Sequence, residues 1–140
     1  MKAKSLMSDK VVTVELDDTL ATVKDIFDHV NFHHLLVVEN KNLMGVISDR
    51  DLLKAISPNV DSVAATTKDL ATLNKKVHQI MARHPKAVSV EASVAAVVEL
   101  FNAHPISCIP VVNENNEPVG IISWRDVMRA LGERMKKQGA

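Results

Sequence analysis

The chain has 140 residues, 17 basic against 17 acidic side chains, 46% hydrophobic residues and only 3% aromatic ones. That length suits one compact domain, or two small units sharing a core. Balanced charge argues against a general nucleic-acid binder, which needs a basic face to release counterions, and scarce aromatics argue against a base-stacking platform.

Cys108 is the one cysteine, so an internal disulfide and a four-cysteine zinc site are excluded. It sits in an apolar run and reads as a small core residue. The N-terminal Met1-Lys2-Ala3-Lys4-Ser5-Leu6 is charged, and no signal-type apolar stretch follows it. No apolar run approaches the ~18 residues of a membrane span. The sequence therefore predicts a soluble, cytoplasmic protein with neither membrane nor nucleic acid as a partner.

In chain order, Val11-Val12-Thr13-Val14 is rich in β-branched residues and predicts a short strand. Asp17-Asp18-Thr19 supplies N-cap chemistry, and Leu20, Val23, Phe27 and Val30 follow at helical spacing. Leu35 to Val38 is a buried apolar strand, Asn40-Lys41-Asn42 a turn, and Leu43 to Ile47 the next strand. A helix follows through Leu52, Leu53 and Ile56. Further on, Thr66-Thr67-Lys68-Asp69-Leu70 reads as a helix start, with Leu70, Leu73, Val77 and Ile80 on one face. The expectation there is one packed helix.

The pattern then repeats. Ile80-Met81-Ala82 matches Leu6-Met7-Ser8, Val88-Ser89-Val90 matches Val12-Thr13-Val14, and Phe101 matches Phe27. Ile109-Pro110-Val111-Val112 matches Leu35-Leu36-Val37-Val38. Gly120-Ile121-Ile122-Ser123-Trp124-Arg125-Asp126 matches Gly45-Val46-Ile47-Ser48-Asp49-Arg50-Asp51. A constant order of matches with small loop adjustments is duplication. The copies are placed at 5–56 and 79–131, joined by 57–78 and followed by a basic tail over 132–140. Each reads as β-α-β-β-α. A unit of that size is marginal alone, so the fold class predicted is α/β (α+β), two repeats packed as a pseudo-twofold module.

Ser48-x-x-Asp51 and Ser123-x-x-Asp126 admit two readings. The first is a capping box, which satisfies orphan N–H groups and complements the helix dipole. The second is a ribose site, in which one carboxylate accepts hydrogen bonds from two adjacent hydroxyls. No nucleophile–base arrangement appears: Cys108 follows His104 by four residues, but Pro105 lies between them. A glycine-rich phosphate loop is also absent. His29, His33 and His34, or His104 with Cys108, lack further ligands at a supporting spacing, so no metal site is expected. The chain reads as a non-enzyme with no catalytic residues.

A tandem β-α-β-β-α unit, each copy closing with Gly-aliphatic-aliphatic-Ser-x-x-Asp-aliphatic, resembles the cystathionine-β-synthase (CBS) domain family. The likeness covers nearly the whole chain. It is nearest to stand-alone bacterial pairs (Bateman modules) and extends to acetoin-utilisation-like proteins. The resemblance implies two clefts that bind an adenosine-containing ligand: AMP or ATP first, then ADP or an S-adenosylmethionine-like molecule. It implies that Ser48, Asp51, Ser123 and Asp126 contact the ribose. The adenine is expected against Ser8, Val11, Val12, Phe32, His33 and His34 in the first copy. In the second copy it is expected against Ala82, Ala87, Val88, Ile106, Ser107, Cys108 and Pro110. Phosphate is assigned to His33, His34, Arg50 and Arg125. The alternatives are a partly buried histidine pair without a ligand and arginines exposed at helix starts. The copies differ, because Ser8 stands where the family often has Thr, Leu36 where it often has Pro, and Ala82 where it has a hydroxyl residue.

The expected function is regulatory: nucleotide binding without chemistry, a shape change, and a protein effector acting in trans. Leu52/Leu53/Ile56 and Val127/Met128/Leu131 are expected to be uncovered by the chain itself and buried in an isologous homodimer. The rival readings are an interaction scaffold with empty clefts, and an enzyme.

Overall fold

Thr19 takes extended backbone and caps the helix after it, accepting a hydrogen bond from Thr22 N at 3.4 Å. In the computed structural model, which describes residues 1–139, that helix is α2 (Leu20–His29). It follows α1 (Ala3–Leu6) and β1 (Thr13–Glu15), and precedes β2 (His34–Glu39) and β3 (Asn42–Ser48). Asn40 and Lys41 join β2 to β3 with φ of 50° and 69°. Two successive left-handed residues match the twist of a tight hairpin. Next come α3 (Asp49–Ala55), α4 (Thr67–Ala71), a 3-10 turn (Thr72–Asn74), α5 (Val77–Ile80) and β4 (Ala82–Arg83). The remaining elements are β5 (Val88–Ser89), α6 (Val94–Ala103), β6 (Cys108–Val112), β7 (Pro118–Ser123) and α7 (Trp124–Lys137).

The duplication is visible in the hydrogen-bond register. One sheet has the order β1-β2-β3-β4 and the other β5-β6-β7. In each, the first strand runs parallel to the second and the second antiparallel to the third. His34 stands opposite Ser48 as Cys108 stands opposite Ser123, and the register shifts at Val37/Val38 and again at Val111/Val112. One difference has a simple cause. Leu36 N donates to Val12 O at 3.1 Å, but the equivalent Pro110 has no N–H to give. The parallel edge strand is three residues long in the first sheet and two in the second.

The compact units do not follow the repeats end to end. One unit is Val12–His84, and the other joins Met1–Val11 to the chain from Pro85 onward. Met1–Val11 belongs with the second repeat. Ala3 N donates to Ala92 O at 2.7 Å, Lys4 N donates to Val90 O at 3.1 Å, and Ser8 exchanges two backbone hydrogen bonds with Ile121 at 2.9 and 3.0 Å. Lys2 and Lys4 both pair with Glu91. Ala3 and Leu6 are buried beside Val97, Phe101, Ile109, Val111 and Ile122. The mirror relation holds in the first-repeat unit. There β4 pairs with β3 (Gly45 opposite Arg83, Val46 opposite Ala82), and Val77 and Met81 join Val14, Leu20, Leu35, Ile47 and Leu52.

Several expectations are corrected. The first strand starts at Thr13, leaving Val11 and Val12 outside it. The connector is not one helix but α4, a 3-10 turn and α5, and Leu70 is 47% exposed. A continuous helix is interrupted because the chain spends its backbone groups elsewhere: Lys75 O accepts from Leu20 N, Val77 N donates to Asp18 O, and His78 N to Leu16 O. The basic tail is helical through Lys137 as the end of α7; Ala140 lies outside the described residues. Leu52 is buried, and Val127 packs against the core of its own unit. Among the expected open apolar residues, Leu53, Met128 and Leu131 are the exposed ones.

Candidate functional site

In the first-repeat unit, β3 ends at Ser48 and α3 begins on the next residue. Ser48 Oγ accepts from Asp51 N at 3.0 Å, and Asp51 Oδ2 accepts from Ser48 N at 2.9 Å, so the capping box is complete. His34 faces Ser48 across the β2–β3 ladder. Burial pushes the His34 imidazole below the ordinary histidine range, against the raising effect of Asp49 and Asp51. His33 Nδ1 lies 2.9 Å from Asp49 Oδ2, while Asp49 N donates to His33 O at 3.0 Å. Ala82 sits on β4 beside Val46. Ser48, Asp51, His34, Val12 and Ala82 therefore belong to one unit.

Phe32 and His33 are placed differently. With Asp49, Leu52 and Leu53 they line a groove of about 620 Å³ between the end of α2, α3 and the segment after it. Ser48, Asp51 and His34 do not line that groove. Arg50 is exposed on the first turn of α3, and no ion pair holds it among the described residues.

The second-repeat unit builds the same corner with different occupants. Asp126 N donates to Ser123 Oγ at 3.3 Å, while Asp126 Oδ2 accepts from Ser123 N at 2.7 Å and Ser123 Oγ at 3.0 Å. Asp126 Oδ1 accepts from the Arg129 guanidinium, and the Asp126 side chain is only 11% exposed. Lys54 holds the position of Arg129 in the first repeat, and neither Lys nor Arg pairs with Asp51 among the described residues. Trp124 replaces Asp49. Its Nε1 donates to Ile106 O at 3.2 Å and its ring lies 5.3 Å from that of Phe101, tilted by 40°. Cys108 and Pro110 are buried on β6, Val88 pairs with Val111, and Ala87 precedes it. Ser107 and Arg125 are exposed.

The grouping by repeat is corrected at two positions. Ser8, expected with the first copy, lies on β7 of the second-repeat unit, and Val11 goes with it. Ala82, expected with the second copy, lies on β4 and pairs with Val46 of β3 in the first-repeat unit. Both moves follow from the exchanged N-terminal segments. Sequence reasoning missed Arg129 and Met81. The i,i+3 spacing of Asp126 and Arg129 was a visible signal for the first, and the Met81 contact with Gly45 had none. No group of three or more His, Cys, Asp or Glu gathers to hold a metal ion among the described residues, and no helix there is long and apolar enough to cross a membrane.

The CBS domain family model matches residues 3–58 and 77–133. Three solved structures share the fold. A putative acetoin utilization protein from Vibrio cholerae is 24% identical, with a TM-score of 0.77 over 99% of this chain and 96% of that one. The CBS domain pair of protein MJ0100, in complex with 5′-methylthioadenosine and S-adenosyl-L-methionine, is 24% identical, with a TM-score of 0.78 over 96% and 98%. CBSX2 in complex with AMP is 20% identical, with a TM-score of 0.77 over 96% and 98%. The chain spans 45% of one curated relative and 23% of two others that carry enzyme names.

Proposed function

The chain belongs to the CBS domain family, and we propose that it is a non-enzymatic regulatory module that binds an adenosine-containing ligand. AMP and ATP are the first candidates. Ser48 and Asp51 in one unit, and Ser123 and Asp126 in the other, take the ribose hydroxyls. His34, Val12 and Ala82 border the first of these sites, and Ser8, Val11, Ala87, Val88, Ile106, Ser107, Cys108 and Pro110 the second. Arg50 and Arg125 are the cations available to a phosphate, with His34 in support; His33 is tied to Asp49. The chain acts in the cytoplasm as a homodimer and passes its ligand state to a protein effector.

The observation that carries this reading is the recurrence of one Ser–Asp corner at the same ladder position in both units, opposite His34 and opposite Cys108. A cap alone needs no such identity of setting. Adenosine compounds in the complexes of MJ0100 and CBSX2 support the ligand class. The test is native mass spectrometry of protein purified from cells. The expected result is an added mass equal to an adenine nucleotide or S-adenosyl compound, released on denaturation. A bare chain that also fails to bind AMP, ATP and S-adenosylmethionine at millimolar concentration would overturn it.

A second reading has one observation in its favour. Both capping boxes close on themselves, and Arg129 already occupies the second oxygen of Asp126. On that reading the module is a protein-interaction scaffold with empty clefts. A flat nucleotide titration together with retained partner binding supports it.

A further inference from the structure

Two methionines hold matching seats, one in each unit. Gly45 and Gly120 have the same place in the two repeats, at the head of Gly-aliphatic-aliphatic-Ser. A Cβ on Gly120 would lie 2.9 Å from Met7 Cγ and 3.1 Å from Met7 Cβ, with the sulfur nearer still. A Cβ on Gly45 would lie 2.7 Å from the Met81 sulfur. Each thioether thus rests on bare strand backbone, in space that a side chain at the glycine would fill.

The seats differ in access and in what else holds the segment. Met81 is 8% exposed and leads into β4, which pairs with β3 at two positions. Met7 is only partly buried, at the margin of the second-repeat core. Its segment is weakly built. α1 has four residues and no side-chain cap at Lys2, far below the length at which a helix stands alone. Attachment comes from buried Ala3 and Leu6, from exposed lysines paired with Glu91, and from backbone hydrogen bonds, among them the pair between Ser8 and Ile121. Met7 sits between Leu6 and Ser8, so its packing sets how closely Ser8 approaches β7.

We propose that Met7 is a reversible oxidation site whose sulfoxide releases Met1–Val11 from the second-repeat unit. The oxidant is a peroxide. A sulfur lone pair attacks one peroxide oxygen and the O–O bond breaks. That oxygen stays on sulfur, and the other takes its proton and leaves as water. Sulfur gives up two electrons and the peroxide gains them. The product is a polar sulfoxide, which methionine sulfoxide reductases return to the thioether at the expense of a dithiol. The sulfur already fills the hollow over Gly120, so an added oxygen forces the side chain off the strand. A sulfoxide also packs poorly in the apolar cluster that Met7 borders. Met81 has the same seat, but burial shields it from the oxidant. Met1, Met44, Met128 and Met135 are exposed, and none is among the atoms crowding Gly45 or Gly120. Ser8 borders the second adenosine site in the reading above, and on that reading release also weakens binding there. Amide exchange reports the release whether or not a nucleotide binds.

The whole chain is treated with hydrogen peroxide until peptide mass spectrometry shows Met7 oxidised, and amide exchange is followed by NMR. Met7 is expected to oxidise about tenfold faster than Met81. The amides of Ala3, Lys4, Ser8 and Ile121 should then exchange at least about tenfold faster, while Leu36, bonded to Val12 in the other unit, keeps its rate. Met7→Leu keeps a similar volume and cannot take the oxygen. The same treatment should leave its amides protected although its exposed methionines are oxidised. If the leucine itself unseats the segment, repair of the oxidised wild type by the reductases decides, and restored protection is the expected result. Oxidised Met7 with Ser8 and Ile121 still protected overturns the proposal. So does equal loss in a Met7→Leu chain that was protected before treatment, loss that spreads to Leu36, or protection that does not return on repair.

Discussion

Asp51 and Asp126 share a motif but not a chemical state. Each caps its helix through Oδ2, but only Asp126 also holds an arginine through Oδ1. A ribose diol approaching Asp126 competes with Arg129, whereas at Asp51 it meets no paired Lys or Arg among the described residues. Asp→Asn keeps an acceptor for the cap, so the folded state should lose well under ~1 kcal/mol in either variant. Loss of the carboxylate–diol contact should cost ~1.5–3 kcal/mol of nucleotide affinity at Asp51 and less at Asp126. Calorimetric titration of Asp51→Asn and Asp126→Asn checks both size and order. Unchanged affinity in both would remove the ribose assignment. His34 gives a second residue-scale prediction. Its folded pKa lies below the ordinary value because burial penalises the imidazolium. The unfolded chain thus binds the proton more readily, so His34 favours folding above the ordinary histidine pKa of ~6.5. That contribution is lost as pH falls from there through the depressed folded value. His29, raised by its contacts with Asp25, works in the opposite direction but is fully exposed. Melting temperature measured from pH 7.5 to pH 5 should therefore fall, and His34→Gln should flatten the slope.

At the scale of elements, the exchange of short segments decides which side chains share a core. Leu6 is 3% exposed and clusters with Ile122, although it belongs by sequence to the first repeat. Leu6→Ala should destabilise by ~2–4 kcal/mol, the usual loss for a buried leucine. In double-mutant cycles it should couple to Ile122→Val and be additive with Ile47→Val, which sits in the other cluster. The reverse pattern in denaturant unfolding would sink the exchange. Gly45 marks the other half. A Cβ there would lie 2.7 Å from Met81 Sδ and 2.8 Å from the Ala82 carbonyl oxygen. The sulfur can move but the strand cannot, so Gly45→Ala should cost ~1–3 kcal/mol by prising β4 from β3. The strands of the two repeats other than β4, the hairpin and both Ser–Asp capping boxes were legible in the sequence because each depends on local pattern. The exchange was not. Leu6-Met7-Ser8 and Ile80-Met81-Ala82 are so alike that either fits either sheet, and the choice is made by distant backbone hydrogen bonds. The break between α4 and α5 was hidden for the same reason. The apolar spacing from Leu70 to Ile80 is helical, but Lys75 and Val77 bond to the segment before α2. Within the site, the Ser–Asp corners were readable and the i,i+3 spacing of Asp126 and Arg129 signalled their pairing; the tilted contact of Trp124 with Phe101 joins residues distant in sequence and left no local signal.

For the whole molecule the question is whether ligand at either unit can be read separately. The chain has a single tryptophan, and it lies only in the second-repeat unit, where Asp49 holds the matching place in the first. Trp124 is half exposed, its Nε1 is bonded to Ile106 O, and it precedes Asp126 by two residues. A ribose engaging Ser123 and Asp126 displaces Arg129 and alters the field and hydration at the indole. Filling that site should produce a saturable change in tryptophan emission with AMP or ATP, and a much weaker one with guanine nucleotides. Melting temperature reports on both sites together. A ligand that binds only the folded state stabilises it by ~2.7 kcal/mol at a hundredfold excess over Kd. For a chain of this size that is a rise of several degrees, at ~2–8 °C per kcal/mol. Because Arg129 competes at Asp126 while no Lys or Arg pairs with Asp51 among the described residues, the melting shift should appear at lower nucleotide concentration than the fluorescence change. Arg129→Ala should bring the two midpoints together. Coincident midpoints in the wild type would show that Arg129 does not separate the sites, and the absence of both signals at millimolar nucleotide would leave the scaffold reading in front.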